Sequence, residues 1–324
     1  MIEFGRPALV FAPMDGVTDA AMREHVGSWR AFSYSVTEFL RVSQVPLPAK
    51  VFTREVPELA NGAKTRQGLP VQVQLLGGDP ERMALSAMAA VRAGAQSIDL
   101  NFGCPAPTVN RNDGGASLLR CPDRIEQIVR AVRQAVPLSI PVSAKLRLGW
   151  EDIDDVHENA ARAVAGGANW LTLHARTRMQ GYQPPVFWPK VGDVLRAVSV
   201  PVIANGDIWT LDDFRRCRDE TGCEHFMIGR GALARPNLAG VIAHELGLRK
   251  DKPGEINWHE EFCAFLACEA QVPMSNPRKA LLRLKQWANI AHKFGEFPCF
   301  DAIKTANSQE ELLAALDRHD VGRK

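Results

Sequence analysis

The amino-acid sequence predicts an α/β fold, a (β/α)8 TIM barrel followed by a small C-terminal helical domain. Two observations support this prediction. Short apolar runs alternate with helix-forming stretches between residues 8 and 231, which is the order of elements in a (β/α)8 barrel. Beyond about Leu248 only helical periodicity remains. We therefore place the barrel domain in residues 1–248 and the helical domain in residues 249–324.

The predicted strands are short and rich in β-branched and other apolar residues. Most of them read as continuously apolar rather than alternating, as expected for strands that are buried on both faces. In chain order the eight strands are Ala8–Met14, Tyr34–Phe39, Pro70–Leu76, Ser97–Gly103, Pro141–Gly149, Trp170–Ala175, Pro201–Asp207 and His225–Gly231.

Helix signals lie between most of these strands. Asp79 is a predicted N-cap, Pro80 takes the first helical position, and Gly94 follows the helix end. A doubly wound open sheet is the alternative, but it usually has fewer strands and a glycine-rich turn after its first strand, which this sequence lacks. The predicted helices are Pro80–Ala93, Pro122–Val136, Asp152–Ala165 and Leu211–Thr221.

The C-terminal part begins with Arg249–Gly254, which reads as an exposed linker. Ser308 and Glu311 form a Ser-x-x-Glu capping-box signature at the start of the last helix. The predicted tail helices are Trp258–Gln271, Pro277–Phe294 and Ser308–Asp317.

The composition, with 46% hydrophobic and 23% charged residues, is typical of a soluble globular protein. A net charge of +2 does not identify a partner, and the absence of a long apolar run predicts no membrane partner. Seven cysteines without a C-x-x-C pair indicate reduced thiols and no metal site. The N-terminus does not read as a signal peptide, so we expect a cytoplasmic protein, and we expect a monomer.

Polar and ionisable residues end nearly every predicted strand. In a (β/α)8 barrel the active site lies at the C-terminal ends of the strands. Taken singly, Lys145 reads as a rim charge and His174 as a core histidine, but their joint placement favours a functional site. The strand-end residues are Pro13, Met14, Glu38, Gln74, Asn101, Cys104, Lys145, Arg147, His174, Arg176, Asn205–Asp207 and Gly229–Gly231.

The ends of the last two strands indicate a phosphate site. Asn205-Gly206-Asp207 and Gly229-Arg230-Gly231 supply glycines that let backbone N–H groups approach a phosphate. A short helix after the last strand would point its N-terminus at the same anion. Two ordinary glycine turns are the alternative.

The segment Leu100-Asn101-Phe102-Gly103-Cys104-Pro105 resembles the N-x-G-C-P signature of the tRNA-dihydrouridine synthases. Further blocks similar to this family occur in order across about residues 8–235. They are Ala12–Asp19, Thr37–Phe39, Val73–Gly77, Gly114–Leu119, Lys145–Trp150, His174–Thr177, Ile203–Ile208 and Met227–Ala232.

The resemblance implies an FMN-loaded barrel, NADPH as the reductant, and tRNA as the substrate bound partly by the helical tail. It implies that flavin N5 passes a hydride to uracil C6 while Cys104 donates a proton to C5. A thiol suits this task because an unperturbed cysteine is mostly protonated at neutral pH.

The family's functional residues map onto matching positions of this chain. Pro13, Met14, Gln74, Lys145 and His174 would surround the flavin, with Lys145 near its N1–O2 edge. Asn101 would orient the uracil or the flavin. Arg147 and Arg176 would face the substrate. The flavin phosphate would be held by Asn205, Gly206, Asp207, Gly229 and Arg230.

Two segments resemble the subgroup that modifies position 16 of the tRNA D-loop. One is Thr37–Val42, which contains Glu38 and Arg41, and the other is Leu282–Trp287. Arg278, Arg283 and Lys285 are expected to share a broad helix face that contacts phosphate, although a solvated helix face is the alternative.

The segment Asn110–Gly115 reads as a loop that closes over a flipped base or, alternatively, as a plain turn. Two departures from the family pattern are Ala106-Pro107-Thr108, where many members carry a lysine, and the bulky Phe102.

Three other functions compete with this interpretation. A flavin-dependent dehydrogenase of a free pyrimidine would need no basic tail. An aldolase-type barrel would use Lys145 as a Schiff-base nucleophile, and it leaves Cys104 and Asn101 unexplained. A non-catalytic RNA-binding module would not need so many polar strand ends.

Overall fold

The structure is a computed structural model that describes residues 2, 4–110, 114–273, 276–297 and 299–321. Eight parallel strands close into a barrel, because β2 pairs with β1 on one side and with β4 on the other. The strands are β1 Ala8–Phe11, β2 Tyr34–Val36, β3 Leu40–Arg41, β4 Val71–Leu76, β5 Ile98–Asn101, β6 Val142–Arg147, β7 Leu171–His174, β8 Val202–Asn205 and β9 His225–Ile228.

The (β/α)8 barrel predicted from the sequence is confirmed, and each predicted run contains one of its strands. Seven of the eight strands end earlier than predicted, so the residues after them form the loops above the barrel, whereas β4 ends at Leu76 as predicted. The sequence did not predict β3, a two-residue strand that pairs with β4 alone.

Helices surround the barrel and form the C-terminal region. Predicted helices over Leu211–Thr221 and Pro277–Phe294 are confirmed to the residue, whereas the helix predicted from Asp152 begins three residues later. The helices are α1 Ala20–Ser28, α2 Ala49–Glu55, α3 Pro80–Arg92, α4 Pro107–Asn110, α5 Pro122–Ala135, α6 Asp155–Ala165, α7 Trp188–Ala197, α8 Leu211–Thr221, α9 Arg230–Ala234, α10 Pro236–Glu245, α11 Trp258–Glu269, α12 Pro277–Phe294, α13 Phe300–Ile303 and α14 Gln309–Val321, with 3-10 helices at Pro57–Asn61 and Gly115–Arg120.

The helix ends follow the capping chemistry of the sequence. The Asp79 carboxylate accepts a hydrogen bond from the backbone N–H of Arg82, as its predicted N-cap role requires. In α14 the Ser308 hydroxyl accepts from the N–H of Glu311, while the Glu311 carboxylate accepts from Asn307, one residue earlier than the predicted capping box requires.

The barrel interior is half polar, which the prediction of continuously apolar strands missed. Apolar and polar residues alternate in β5–β7, and in β4 as far as Leu75, and the outward apolar residues pack against the helices. Gln72 on β4 donates a hydrogen bond to Ser143 on β6, a contact that crosses the interior past β5. The opposite wall, on β1, β2, β8 and β9, carries an apolar cluster, with the polar Asn205 at the end of β8. The inward polar residues of β4–β7 are Gln72, Gln74, Asp99, Asn101, Ser143, Lys145, Arg147, Thr172 and His174.

The tail packs directly on the barrel through α11 against α1 and α12 against α9. Trp287 is fully buried and its indole N–H donates to the Leu233 carbonyl at 2.8 Å. The segment Arg249–Gly254, predicted as an exposed linker, contacts the barrel domain at its start, because the Arg249 guanidinium donates a hydrogen bond to the Trp29 carbonyl. Among the described residues, no helix is both long enough and apolar enough to cross a membrane.

Candidate active site

A cavity of about 580 Å³ opens at the C-terminal ends of the barrel strands. This volume is typical of a site for a small molecule or cofactor. Most of the strand-end residues singled out in the sequence line it together. They are Pro13, Met14, Gln74, Asn101, Cys104, Lys145, Arg147, His174, Asn205, Gly206, Asp207, Gly229 and Arg230.

Cys104 stands at the turn that follows β5 and is held there by Asn101. The Asn101 side-chain oxygen accepts hydrogen bonds from the backbone N–H groups of Gly103 at 2.9 Å and Cys104 at 3.0 Å. Burial raises the pKa of the Cys104 thiol, and a backbone hydrogen bond from Ala106 only partly opposes this shift. The thiol therefore keeps its proton at neutral pH and is able to act as an acid.

Lys145 presents the central cation of the cavity. Its Nζ donates to the Asn205 side-chain oxygen at 3.3 Å, and Asn205 in turn donates to the Met227 carbonyl at 2.8 Å. Burial, together with the nearby Arg147 cation, lowers the pKa of Lys145 to about 8, while Asp99 opposes the shift. The ammonium form is retained at neutral pH.

His174 is a buried, neutral imidazole on the cavity wall. Burial lowers its pKa well below the ordinary value, and the surrounding cations of Arg147 and Lys145 act in the same direction. Its Nδ1 atom has no hydrogen-bond partner among the described residues. Gly206 lies against the ring with a φ of +117°, and a Cβ there would lie 3.2 Å from the imidazole, so this position suits glycine.

The residues predicted to form an anion site follow β8 and β9, and Gly229 directly precedes the short helix α9. The Arg230 guanidinium lies over three aromatic rings, at 4.4 Å from the centre of Tyr182, 5.0 Å from Trp209 and 5.1 Å from Phe294. Trp209 and Phe294 stack on each other at 4.6 Å. The rings fix the orientation of a cation at the cavity wall.

Arg176 is placed differently from its prediction as a substrate contact. It is 1% exposed and does not line the cavity. Both terminal nitrogens of its guanidinium bind the Asp207 carboxylate, one of them at 2.8 Å. A buried guanidinium needs such a partner. The Arg176–Asp207 pair therefore holds the loop after β8 in place.

Arg147 lines the cavity and also holds its loops together. Its Nε donates to the Gly103 carbonyl at 2.9 Å, and its Nη1 donates to the carbonyls of Thr177 and Gly181 at 3.0 and 2.7 Å. The second loop carries Tyr182, which is 53% exposed and lines the cavity beside the Arg147 guanidinium. Tyr182 was not predicted as a site residue because its segment has no periodic pattern.

Glu38 and Arg41 lie outside the cavity lining. The Glu38 carboxylate accepts from the backbone N–H of Val17, which does line it, and so supports the loop after β1. Burial raises the pKa of Glu38, with Asp19 adding to the shift. Arg41 is exposed on β3 at the barrel rim.

The three cations predicted on α12 do not share one face. Arg278 is exposed and Lys285 is half-buried, but Arg283 is only 9% exposed. Its Nη2 donates to the Asp19 carboxylate at 2.8 Å, and its Nη1 donates to the Gly16 carbonyl. Arg278 and Lys285 are seven residues apart and therefore lie on the same side of the helix. Arg283 points well away from both, so the shared face was predicted wrongly.

Helix α12 connects the exposed Arg278 and the half-buried Lys285 with the cavity, because Ile290 of the same helix lines the cavity wall. The proposed closing loop is described only in part. The Asn110 side-chain oxygen accepts from the backbone N–H of Ser117 at 2.9 Å, and residues 111–113 lie outside the described ranges.

Phe102 is fully buried in the core beneath the helices, which explains how the bulky residue is accommodated. Within the described ranges, no group of His, Cys, Asp or Glu is arranged to hold a metal.

Comparison with known proteins gives one consistent family. A family model described as "Dihydrouridine synthase (Dus)" matches residues 10–292. A protein of Shewanella oneidensis named tRNA-dihydrouridine(16) synthase is 41% identical over 316 residues, covering 96% of this chain and 97% of that protein. Proteins of the same name from Aquipseudomonas alcaligenes and Neisseria meningitidis serogroup B are 45% and 40% identical, covering 86% and 96% of this chain and 88% and 95% of those proteins.

Proposed function

The chain belongs to the dihydrouridine synthase family, whose enzymes are flavin-dependent oxidoreductases, and we propose that it reduces the C5–C6 double bond of a uracil in tRNA. We further propose FMN as the flavin, NADPH as the reductant and position 16 of the D-loop as the target. The names of the relatives support this position.

The cavity residues suit a flavin. Lys145 offers a cation for the N1–O2 edge of the ring, and Gln74 offers an amide for another edge. His174 adds a buried ring nitrogen without a partner among the described residues. Arg230, at the start of α9, would hold the phosphate together with backbone N–H groups of the β8 and β9 loops.

The protonated Cys104 thiol in the same cavity carries the proposal. A bound reduced flavin supplies the hydride that uracil C6 receives. Cys104 donates its proton to C5, and the backbone hydrogen bonds to Asn101 hold the turn that bears its thiol. Arg147 and Tyr182 close the wall next to Cys104 and would orient the uracil.

The tail offers a surface for RNA that a free pyrimidine would not need. Arg278 and Lys285 lie on α12, and Ile290 of the same helix reaches the cavity wall. Phosphate contacts by exposed cations position a nucleic acid without reading its sequence. The target uracil would have to leave the RNA stack to reach Cys104, because an enzyme that reacts with a base inside a pocket needs that base extruded from the RNA.

An absorbance experiment tests the proposal. The purified protein should show a flavin band that bleaches with NADPH and returns on anaerobic mixing with unmodified tRNA. Mass spectrometry of the tRNA should place dihydrouridine at position 16, and a transcript with cytidine there is the matched control.

Three outcomes would contradict parts of the proposal. A protein without flavin would point to the aldolase-type barrel. Reoxidation by free uracil as fast as by tRNA would point to a small-molecule dehydrogenase. Dihydrouridine elsewhere in the tRNA would overturn the assignment to position 16.

A further inference from the structure

A chain of hydrogen bonds through two side-chain amides runs along the cavity wall, from the backbone N–H of Cys104 to the buried carboxylate of Asp99. Asn101 Nδ2 donates to Gln74 Oε1 at 2.8 Å, and Gln74 Nε2 donates to Asp99 Oδ2 at 2.7 Å. Asp99 is 2% exposed and lies on β5, two residues before Asn101. Its chemistry is not needed for hydride or proton transfer, yet a buried carboxylate is costly to keep.

The donor and acceptor roles along this series of hydrogen bonds are set by the groups at its two ends. At one end the backbone N–H groups of Gly103 and Cys104 can only donate, so the Asn101 oxygen must face them. Asn101 then has only its NH2 group to offer Gln74. At the other end an ionised carboxylate can only accept, so the Gln74 NH2 group must face Asp99.

The side-chain NH2 groups of Asn101 and Gln74 each have two N–H bonds, and each group uses one of them in this series of hydrogen bonds. Gln74 and Asn101 both line the cavity, where Asn101 is 9% exposed and Gln74 is fully buried, so a ring bound against this wall would meet their remaining N–H bonds. This wall therefore offers donors and selects ligand atoms that accept, such as ring carbonyl oxygens and unprotonated ring nitrogens. Both kinds of atom occur in flavin and uracil rings.

We propose that Asp99 is a positioning residue that fixes the Gln74 amide as a hydrogen-bond donor to the bound rings. This inference rests on the proposed flavin site. The second oxygen of Asp99 accepts from the Ser143 hydroxyl at 2.5 Å, and Ser143 accepts from Gln72 at 3.0 Å. Burial raises the pKa of Asp99 to about 6, and hydrogen bonds from Ser143 and Gln74 limit that rise, so the carboxylate is ionised at neutral pH.

A double-mutant cycle on FMN affinity tests the proposal, with titration of the flavin-free protein as the readout. Asp99→Leu removes the acceptor at nearly constant volume and should weaken FMN binding about tenfold, the value of one or two lost hydrogen bonds. In a Gln74→Met background the same change should cost less than about twofold, because its route of action is gone.

Two further variants separate positioning from general stability. Ser143→Ala removes the other hydrogen bond to the same carboxyl group and should leave FMN affinity within about twofold, whatever its effect on the melting temperature, because the Asp99 oxygen that faces Gln74 can still accept even if the other oxygen is protonated. Asp99→Asn keeps an oxygen that faces Gln74 and should recover most of the affinity. If the leucine variant does not fold, Asp99→Ser, which is too short to reach Gln74, replaces it in the same cycle.

The results separate this inference from the proposed function. Equal losses for Asp99→Leu with and without Gln74 would show that Asp99 acts on the fold or on the charge of Lys145 instead of through Gln74, and no loss in either background would show that it is not needed. Either result overturns the inference while leaving the flavin site in place. A wild-type protein that binds no FMN would remove both.

Discussion

Arg283 is expected to anchor the tail to the barrel, and its replacement by methionine should reveal this in the free energy of unfolding. Its guanidinium donates to the Asp19 carboxylate at 2.8 Å through Nη2 and to the Gly16 carbonyl through Nη1. Methionine keeps most of the buried aliphatic stem, so the change removes mainly the charged hydrogen bonds.

The expected loss is about 3 kcal/mol. Breaking a buried ion pair by removing one partner costs about 3–5 kcal/mol. The lower end applies because Asp19 keeps other partners, the backbone N–H of Met22 at 3.1 Å and the ammonium of Lys279 at 3.7 Å. Lys279→Met is the matched control. The Lys279 side chain is 60% exposed, so its contact with the same carboxylate should contribute less than about 1 kcal/mol.

Urea unfolding followed by tryptophan fluorescence and circular dichroism measures both variants. The salt dependence of tRNA binding should be unchanged in Arg283→Met, since the anchoring guanidinium does not meet phosphate. A stability loss below about 1 kcal/mol, together with a shallower salt dependence, would refute the anchoring role and make Arg283 an RNA contact.

Three further predictions concern the proposed reaction. Cys104→Ala should keep the flavin band and its bleaching by NADPH but lose at least about a hundredfold in tRNA reduction, measured by anaerobic reoxidation, because no acid remains for C5; an active variant would remove Cys104 from that role. FMN affinity should fall as pH rises through about 8, because Lys145 loses its proton there, and Lys145→Met should be weak at every pH, as titrations between about pH 7 and about pH 9 would reveal. Arg278→Ala and Lys285→Ala should each weaken tRNA binding and reduce the slope of log affinity against log salt by about 0.7–0.9 without changing FMN affinity, and unchanged slopes would move the RNA surface elsewhere.

The barrel was predictable because its local signals agree with its fold. Asp79 and Gly222 mark helix ends that the structure reproduces, with Gly222 at a φ of +70°. The polar interior could also have been predicted, because apolar and polar residues alternate in Val71-Gln72-Val73-Gln74 and in Ile98-Asp99-Leu100-Asn101. It was overlooked because a strand buried on both faces was expected to be apolar throughout.

The cavity residues at strand ends were predictable because the barrel brings all such ends to one side. Arg176 and Arg283 show where this reasoning fails. Their carboxylate partners lie 31 and 264 residues away in the chain, so no local pattern shows that the charges are already paired. Tyr182 was missed for a related reason, since its place beside Arg147 and Arg230 depends on how separate loops meet.

The loop after β1 shows why the barrel and the tail act as one site. Met14 and Val17 of this loop line the cavity, while Gly16 and Asp19 of the same loop bind Arg283 of α12. Further along α12, Ile290 lines the cavity and Phe294 stacks on Trp209, another lining residue. An RNA held by α12 would therefore rest on an element that also forms the wall of the proposed flavin and uracil pocket, so the position of the target base relative to Cys104 would be set by the packing of the tail.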